Sequence, residues 1–179
     1  MSKIGKINIS IPEKVKVALS GNMMNVEGPF GKKTLPIDVD NFDLTINEGK
    51  EISLKPKKID QNSKRLWGMN RSLINNAIIG ADKGYEKILE LVGVGFRAAM
   101  KGKQLNLQLG FSHDINFDIP ESIKIVVEKQ TTIKITGIDK QEVGMIASKI
   151  KSLRPPEPYK GKGIKEKGQY ILRKEGKKK

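Results

Sequence analysis

The sequence repeats itself at a spacing of 81 residues, and this duplication is the feature that most limits the possible folds. Four identities share that offset: Ala18 with Ala99, Gly21 with Gly102, Asn25 with Asn106, and Phe30 with Phe111. Further identities share an offset of 76: Gly68-Met69 with Gly144-Met145, Ser72 with Ser148, and Ile74 with Ile150. Because identities at a shared spacing come with the same order of predicted elements, we favour duplication over chance similarity between short hairpins.

Each copy reads as several short strands followed by one helix. Alternating apolar and polar residues, as in Leu105–Leu109, predict strands, and glycine turns separate neighbouring strands. Apolar residues at helical spacing predict helices over residues 60–79 and 140–153, with Asp60 and Asp139 as N-caps. Strands followed by a helix in each half indicate an α+β fold rather than a parallel βαβ fold.

The predicted architecture is therefore two tandem similar α+β domains followed by a basic arm. Each domain is predicted to be an antiparallel β-sheet with one helix packed on one face. The predicted limits are residues 1–82 for the N-terminal domain, 83–153 for the C-terminal domain and 154–179 for a C-terminal arm rich in Pro, Gly and Lys. We also expect that deleting 154–179 leaves both domains folded.

The positive charge is concentrated near the C-terminus. The formal net charge is +14, and nine of those charges fall in the last 31 residues. Such a segment repels itself in isolation, and phosphate groups relieve that repulsion and release counterions on binding. The composition therefore points to a polyanionic partner. A solubilising lysine tail explains the last three residues alone, but not the ordered mixture of Lys, Pro, Tyr and Gly before them.

The composition also excludes several classes of site. The chain has no cysteine and one histidine, so disulfides, thiolate zinc sites, iron–sulfur clusters and multi-histidine metal centres are excluded. We predict no metal and no cofactor. No apolar run approaches the roughly 18 residues of a membrane-spanning helix, and no secretory signal is apparent. A protein of the cytoplasm without a membrane partner or a small-molecule substrate is the expectation.

Two motifs resemble active-site signatures but fail on their context. Ser112-His113-Asp114 has the residue types of a hydrolase triad, but three consecutive residues splay apart instead of converging. The run from Gly93 to Ala98 matches a dinucleotide fingerprint, which requires a helix to begin at the glycines. Only six residues separate these glycines from the Gly102 turn, so we expect a strand there and no enzymatic function. The glycines are expected to allow a bulge, a bend or a close backbone approach.

The segment after the second helix has the composition of a nucleic-acid-binding arm. Pro155-Pro156 must end the helix near Leu153, and three prolines predict an extended chain. Tyr159 offers a planar face, and glycines between lysines allow the backbone to approach a sugar–phosphate chain closely. The alternative is an arm that packs over its own domain through Tyr159 and Ile164, and both descriptions can hold in part. No DNA-reading helix is apparent, which favours RNA.

The run Arg-Pro-Pro-Glu-Pro-Tyr-Lys-Gly-Lys-Gly-Ile at 154–164 resembles the signature of a ribosomal family, that of the sixth protein of the large ribosomal subunit, bacterial type. Other stretches resemble the same family over essentially the whole chain: 2–6, 75–76, 89–98, 109–113 and 173–178. Four residues depart from the family pattern, namely Phe30, Phe96, Asp114 and Glu166. Glu166 stands where an aromatic residue is usual.

The resemblance implies a structural ribosomal protein with two similar α+β domains. It implies binding to large-subunit rRNA mainly through the C-terminal domain and arm, near the sarcin–ricin loop and the base of the factor-recruiting stalk. The implied partners are that rRNA and neighbouring large-subunit proteins. The candidate rRNA-binding residues are Phe96, Arg97, Lys149, Arg154, Pro155, Pro156, Tyr159, Lys160, Gly161, Lys162, Gly163, Lys165, Lys167, Arg173 and Lys174.

Two other classes of function stay open on sequence alone. One is a nucleotide-dependent enzyme that uses the glycines at 93 and 95. The other is a nonspecific nucleic-acid or anionic-membrane binder that uses the arm only as a cluster of point charges.

Overall fold

The computed structural model describes residues 3–47, 50–58 and 60–176. These residues form two compact units, Met1–Gly84 and Tyr85–Lys179. The first unit contains, in chain order, β1 Ile9–Ser10, β2 Lys16–Ser20, β3 Met23–Gly28, β4 Gly31–Pro36, β5 Phe42–Asn47, β6 Glu51–Pro56 and α1 Gln61–Asp82. The second contains β7 Tyr85–Val92, β8 Arg97–Lys101, β9 Gln104–Gln108, β10 Ile115–Asp118, β11 Ile123–Glu128, β12 Thr132–Gly137, α2 Lys140–Leu153 and β13 Gly163–Glu166.

Both units have the same topology, which confirms the predicted α+β fold in two similar copies. In the first, β2-β3-β4 form one antiparallel sheet and β1-β6-β5 a second. In the second unit, the β8-β9-β10 sheet corresponds to β2-β3-β4. The β7-β12-β11 sheet corresponds to β1-β6-β5, and β13 is added beyond β7. Each copy therefore divides its strands between two small sheets, where the sequence analysis expected one. Gly21 (φ 58°) and Gly102 (φ 62°) supply the left-handed backbone of the matching hairpin turns.

A helix completes the core of each unit. In the first, Ile74, Ala77 and Ile78 of α1 are buried with strand residues such as Val26 and Ile52. In the second, the buried residues of α2 are Val143, Ile146, Ala147 and Ile150. Helix α2 has the predicted limits, and the Asp139 side chain accepts a hydrogen bond from the Gln141 N–H at 3.0 Å.

Helix α1 differs in three ways from its prediction. It continues to Asp82, and Asp60 is its N-cap by position but makes no capping hydrogen bond through its side chain. Met69 and Leu73 belong to the stripe of apolar residues that the helical spacing predicts, but they are about half exposed. Trp67 and Ala81 are buried instead. The buried face of α1 is therefore rotated about the helix axis from the face that the apolar spacing predicts.

The C-terminal segment is part of the second unit's sheet. Strand β13 pairs antiparallel with β7, with Gly163 opposite Val92 and Glu166 opposite Leu89. Ile164 is fully buried in the core of this unit. The expectation that 154–179 can be removed without cost to folding is therefore not supported. The limits at 82 and 153 stay predictions of where the domains divide.

Candidate nucleic-acid interface

The predicted arm folds back into a closed loop, which we define as the arm loop, residues 154–163. Its ends are joined by two backbone hydrogen bonds of 2.8 Å: Ile164 N–H donates to the Arg154 carbonyl, and Glu157 N–H donates to the Lys162 carbonyl. The arm therefore folds back on its own unit, with no regular element assigned to residues 155–157. The prolines end α2 and shape one side of the loop, and strand pairing by β13 shapes the other.

Gly163 permits the sharp return of the loop. Its φ is 137°, a region that L side chains rarely adopt, and a Cβ there would lie 2.6 Å from the Pro155 carbonyl oxygen. Gly161, with φ 71°, is buried as well. These two glycines therefore have a structural role in the return of the loop.

We expect Gly163→Ala to destabilise the second unit by at least about 2 kcal/mol, because strain at φ 137° adds to a backbone clash. Gly168→Ala is the matched control: its φ is also positive, at 81°, but nothing lies within 4 Å of its added Cβ. The control should lose about 1 kcal/mol from backbone strain alone. Urea unfolding followed by far-UV circular dichroism measures both variants, and equal losses would contradict the argument from crowding.

Several predicted residues project from the arm loop into solvent. Tyr159 is 57% exposed, and Lys160 and Lys162 flank the buried Gly161. Arg154, at the C-cap of α2, holds its guanidinium carbon 5.0 Å from the centre of the Phe111 ring. That contact is a cation–π interaction that orients the guanidinium while leaving the residue exposed.

Two other turns lie at the same end of the unit as the arm loop. Val92 pairs with Gly163, so the turn that follows β7 emerges beside the loop. Arg97 is exposed at the start of β8, and Ala98 N–H donates to the Gln130 carbonyl at 2.8 Å. The β11–β12 turn, with its exposed Lys129, therefore also lies at this end.

The segment after β13 returns to the arm loop. Lys174 N–H donates to the Pro158 carbonyl at 2.8 Å, and Arg173 lies close to Gly161. Lys167 N–H donates to the Ile88 carbonyl, and its side chain is exposed. An open cleft of about 380 Å³ lies between this segment and the sheet, lined by Val92, Gly161, Lys165, Gln169, Tyr170, Ile171 and Arg173.

Some predicted residues have structural roles. The Phe96 ring is buried in the core and packs against Gly93 and Gly110, where an added Cβ would approach it to 2.9 and 3.2 Å. Close approach to this ring thus accounts for Gly93. Pro155 is exposed and Pro156 half-buried in the arm loop, while Lys149 lies exposed on α2.

Lys165 is held by an ion pair, which reduces its availability to a phosphate. Its ammonium lies 3.0 Å from Glu90 Oε2, across the β13–β7 pair. The departure at Glu166 has a similar explanation: its carboxylate accepts hydrogen bonds from Lys87 at 2.6 Å and Lys151 at 3.4 Å. These pairs fasten β13 to β7 and α2. The hydrogen bond from Lys87 holds the pKa of Glu166 below its ordinary value.

The lowered pKa of Glu166 predicts a pH-dependent contribution to stability. A depressed carboxyl pKa stabilises the fold above the unfolded value, about 4.3, and that stabilisation is lost as the pH falls through the folded value. Glu166→Gln should therefore lower the free energy of unfolding by about 0.5–1 kcal/mol at pH 7 and have a smaller effect at pH 2.5. Urea titrations at both pH values measure this difference, with Glu175→Gln as the exposed control. A loss of the same size at both pH values would contradict the ionic origin.

Sequence reasoning missed two members of this surface. Phe111, which orients Arg154, belongs to the 109–113 stretch that resembles the family. It was not predicted to be part of the interface, and the residues after it were considered only as a catalytic triad. Lys129 carries no signal in sequence, because its position depends on the hydrogen bond between Gln130 and Ala98. Ser112 to Asp114 lie in an exposed turn, and β8 follows the glycines as a strand, as predicted.

Comparison with known proteins agrees with this geometry. The sequence profile of the family described as Ribosomal protein L6 matches residues 92–167, the stretch from the end of β7 through β13. Proteins described as large ribosomal subunit protein uL6 are similar over the full length of both chains. They include those of Beijerinckia indica subsp. indica (49% identical), Caulobacter vibrioides (50%) and Sphingopyxis alaskensis (47%).

The chain belongs to the ribosomal protein L6 family. Identity near 50% over all 179 residues, with complete coverage of the relatives, establishes this membership. Proteins of the L6 family are structural components of the ribosome and not enzymes, so the nucleotide-dependent reading of Gly93–Ala98 is excluded. Within the described residues, no helix is long and apolar enough to cross a membrane.

Proposed function

We propose that this chain binds large-subunit rRNA through the end of its second unit that carries the arm loop. The observation that carries the proposal is the projection of Tyr159, Lys160 and Lys162 from a loop whose backbone is fixed on both sides. Arg154, Arg97 and Lys129 present further positive charge at the same end. A rigid cluster of cations loses little conformational entropy when it binds phosphates.

The proposed contacts divide into two groups. The first group consists of exposed cations suited to phosphate contacts: Arg97, Arg154, Lys160, Lys162, Lys167, Arg173 and Lys174. Tyr159 offers a ring for stacking or for packing on a sugar. Six other predicted residues shape or fasten the surface: Phe96, Gly161, Gly163, Pro155, Pro156 and Lys165. Lys149 is an exposed cation on α2. This assignment narrows the sequence-based set to side chains that solvent can reach.

The location within the ribosome follows from the family resemblance. We propose that the site lies near the sarcin–ricin loop and the base of the factor-recruiting stalk, with the protein supporting subunit assembly and the factor-binding region in the cytoplasm. Neighbouring large-subunit proteins are the expected additional partners.

Crosslinking in cells, with sequencing of the attached RNA, tests the proposal directly. Crosslinks should concentrate at a few sites in large-subunit rRNA and map to peptides within residues 90–175. Crosslinks spread evenly over cellular RNA would support instead a nonspecific cluster of point charges. The fixed geometry of the arm loop favours the first outcome. Nonspecific binding by point charges would not require the loop shape that Gly163 and β13 produce.

A further inference from the structure

The two units differ at the turn between the last two strands of the β2-β3-β4 type of sheet. Two residues join β3 to β4 in the first unit, whereas six residues, 109–114, join β9 to β10 in the second. Phe30 and Phe111 are the matching aromatic residues of these turns. The Phe30 ring packs on Gly84 of its own unit, where an added Cβ would lie 2.9 Å from it. The longer turn, which we define as the aromatic turn, adds His113 and gives Phe111 different neighbours.

The aromatic turn is fastened to its sheet at both ends. Leu109 is fully buried in the core of the second unit. At the other end, Asp114 Oδ2 accepts hydrogen bonds from the side-chain amides of Asn106 at 3.4 Å and Gln108 at 3.3 Å. The single carboxylate of the turn is therefore engaged with β9, and the residues between the two ends are held in place without being buried.

Three planar groups meet at the aromatic turn. The ring centroids of Phe111 and His113 are 6.4 Å apart with an interplanar angle of 26°, and the Arg154 guanidinium carbon lies 5.0 Å from the Phe111 centroid. Phe111 is 41% exposed, and the other two residues are exposed as well. The Arg154 side chain makes no hydrogen bond or ion pair with a described residue, so the N–H groups at its edge are available to a phosphate.

The aromatic turn lies at the same end of the second unit as the arm loop. Gln108, just before the turn, pairs with Arg97 at the start of β8, and Arg154 begins the arm loop. A nucleotide joins an aromatic base to a phosphate, so it complements a pair of rings beside a guanidinium in both shape and charge. Base faces are hidden inside a duplex, and only an unpaired base can stack on a protein ring.

We propose that an unpaired base of the large-subunit rRNA stacks on the ring pair of Phe111 and His113, while Arg154 binds an adjacent phosphate. This inference rests on the proposed function and extends it from phosphate contacts to a single base. It gives His113 a stacking role, in place of the catalytic role that its neighbours in sequence suggested.

Substitution of His113 in the full-length chain tests the stacking contact. His113→Ala removes one ring and leaves the contact between Phe111 and Arg154 in place, while Ser112→Ala truncates the exposed neighbour as a matched control. In filter binding to a large-subunit rRNA fragment, His113→Ala should lower affinity at least about fivefold and Ser112→Ala less than about twofold. His113→Phe, which restores a ring without its nitrogen atoms, should bind within about twofold of the wild type. Equal losses in His113→Phe and His113→Ala would overturn the stacking role.

Ultraviolet crosslinking without an added linker identifies the base. Irradiation of the wild-type complex should join a peptide containing residues 111–113 to one unpaired nucleotide, which mass spectrometry locates. An abasic analogue at that nucleotide should weaken binding of the wild type at least about fivefold, but weaken His113→Ala less than about twofold, because that variant has already lost part of the contact. Absence of a crosslink at residues 111–113, a crosslink confined to paired nucleotides, or equal abasic effects in both proteins would each overturn the proposal.

The same binding measurements separate this proposal from the proposed function. If charge reversal at Lys160 and Lys162 weakens binding while His113→Ala does not, the base contact is overturned and the phosphate contacts stand. If the wild type shows no preference for large-subunit rRNA, both proposals fail together. Urea unfolding of the wild type and His113→Ala should coincide, because the His113 side chain is exposed, so a lower affinity reports on the contact and not on the fold.

Discussion

Truncation after Leu153 is expected to unfold the second unit. It removes β13, leaves the edge of β7 unpaired and deletes Ile164, which is fully buried. Loss of such a side chain alone costs about 2–5 kcal/mol, against a total stability of about 5–15 kcal/mol for a typical domain. The lost strand pairing and the lost ion pairs of Lys165 and Glu166 add to that cost.

Truncation after Gln169 is the matched control for this experiment. It keeps β13, the hydrogen bond from Lys167 N–H to the Ile88 carbonyl, and the bond from Gln169 N–H to the Glu166 carbonyl. This shorter deletion should unfold cooperatively, with a small loss of stability. Hydrogen exchange of β7 and β12 amides reports on the second unit, while fluorescence of Trp67, the single tryptophan, reports on the first. Protected β7 amides after truncation at Leu153 would contradict this prediction. They would support the separable arm expected from sequence.

Reversing the charges of Lys160 and Lys162 should produce the largest loss of RNA affinity. Both project from the fixed arm loop, and neither is engaged in an ion pair with a described residue. We expect the double variant Lys160→Glu, Lys162→Glu to bind large-subunit rRNA about 10–100-fold more weakly. The slope of the logarithm of affinity against the logarithm of salt concentration should decrease by the amount expected for about two phosphate contacts. The fold should be unaffected, because both side chains are exposed.

A second pair of lysines gives the control with the same change in net charge. Lys101 and Lys124 are exposed in the second unit, at the end of the sheets opposite the arm loop. Lys101→Glu with Lys124→Glu should lower affinity less than threefold. Filter binding to a large-subunit rRNA fragment over a series of salt concentrations measures all four proteins: the wild type, both double variants and the Gln169 truncation. Equal losses from the two double variants would show that net charge alone determines binding.

The parts of the fold that depend on local patterns could be predicted from sequence. Glycine turns and alternating residues located the hairpins at Gly21 and Gly102, and the Pro155-Pro156 pair placed the end of α2 at Leu153. The division into two sheets and the pairing of β13 could not be predicted, because Gly163 and its partner Val92 are far apart in sequence. No local pattern distinguishes a basic arm from a basic edge strand.

The candidate site shows the same division. The motif around the arm loop identified the exposed lysines, because their spacing around glycine is a local property. The burial of Phe96, the ion pair of Lys165 and the position of Lys129 depend on contacts between distant strands. The run of basic residues predicts a polyanionic partner, and solvent access determines which cations we assign to it.

The pairing of β13 with β7 would make the proposed RNA recognition depend on the completion of folding. The two strands are about seventy positions apart, so their contact closes a long loop, which slows folding relative to local hairpins. The arm loop acquires its shape only when that contact forms, since its returning side begins in β13. An incompletely folded second unit thus carries the same charges without their geometry. Binding to the proper RNA would then select finished molecules over unfinished ones.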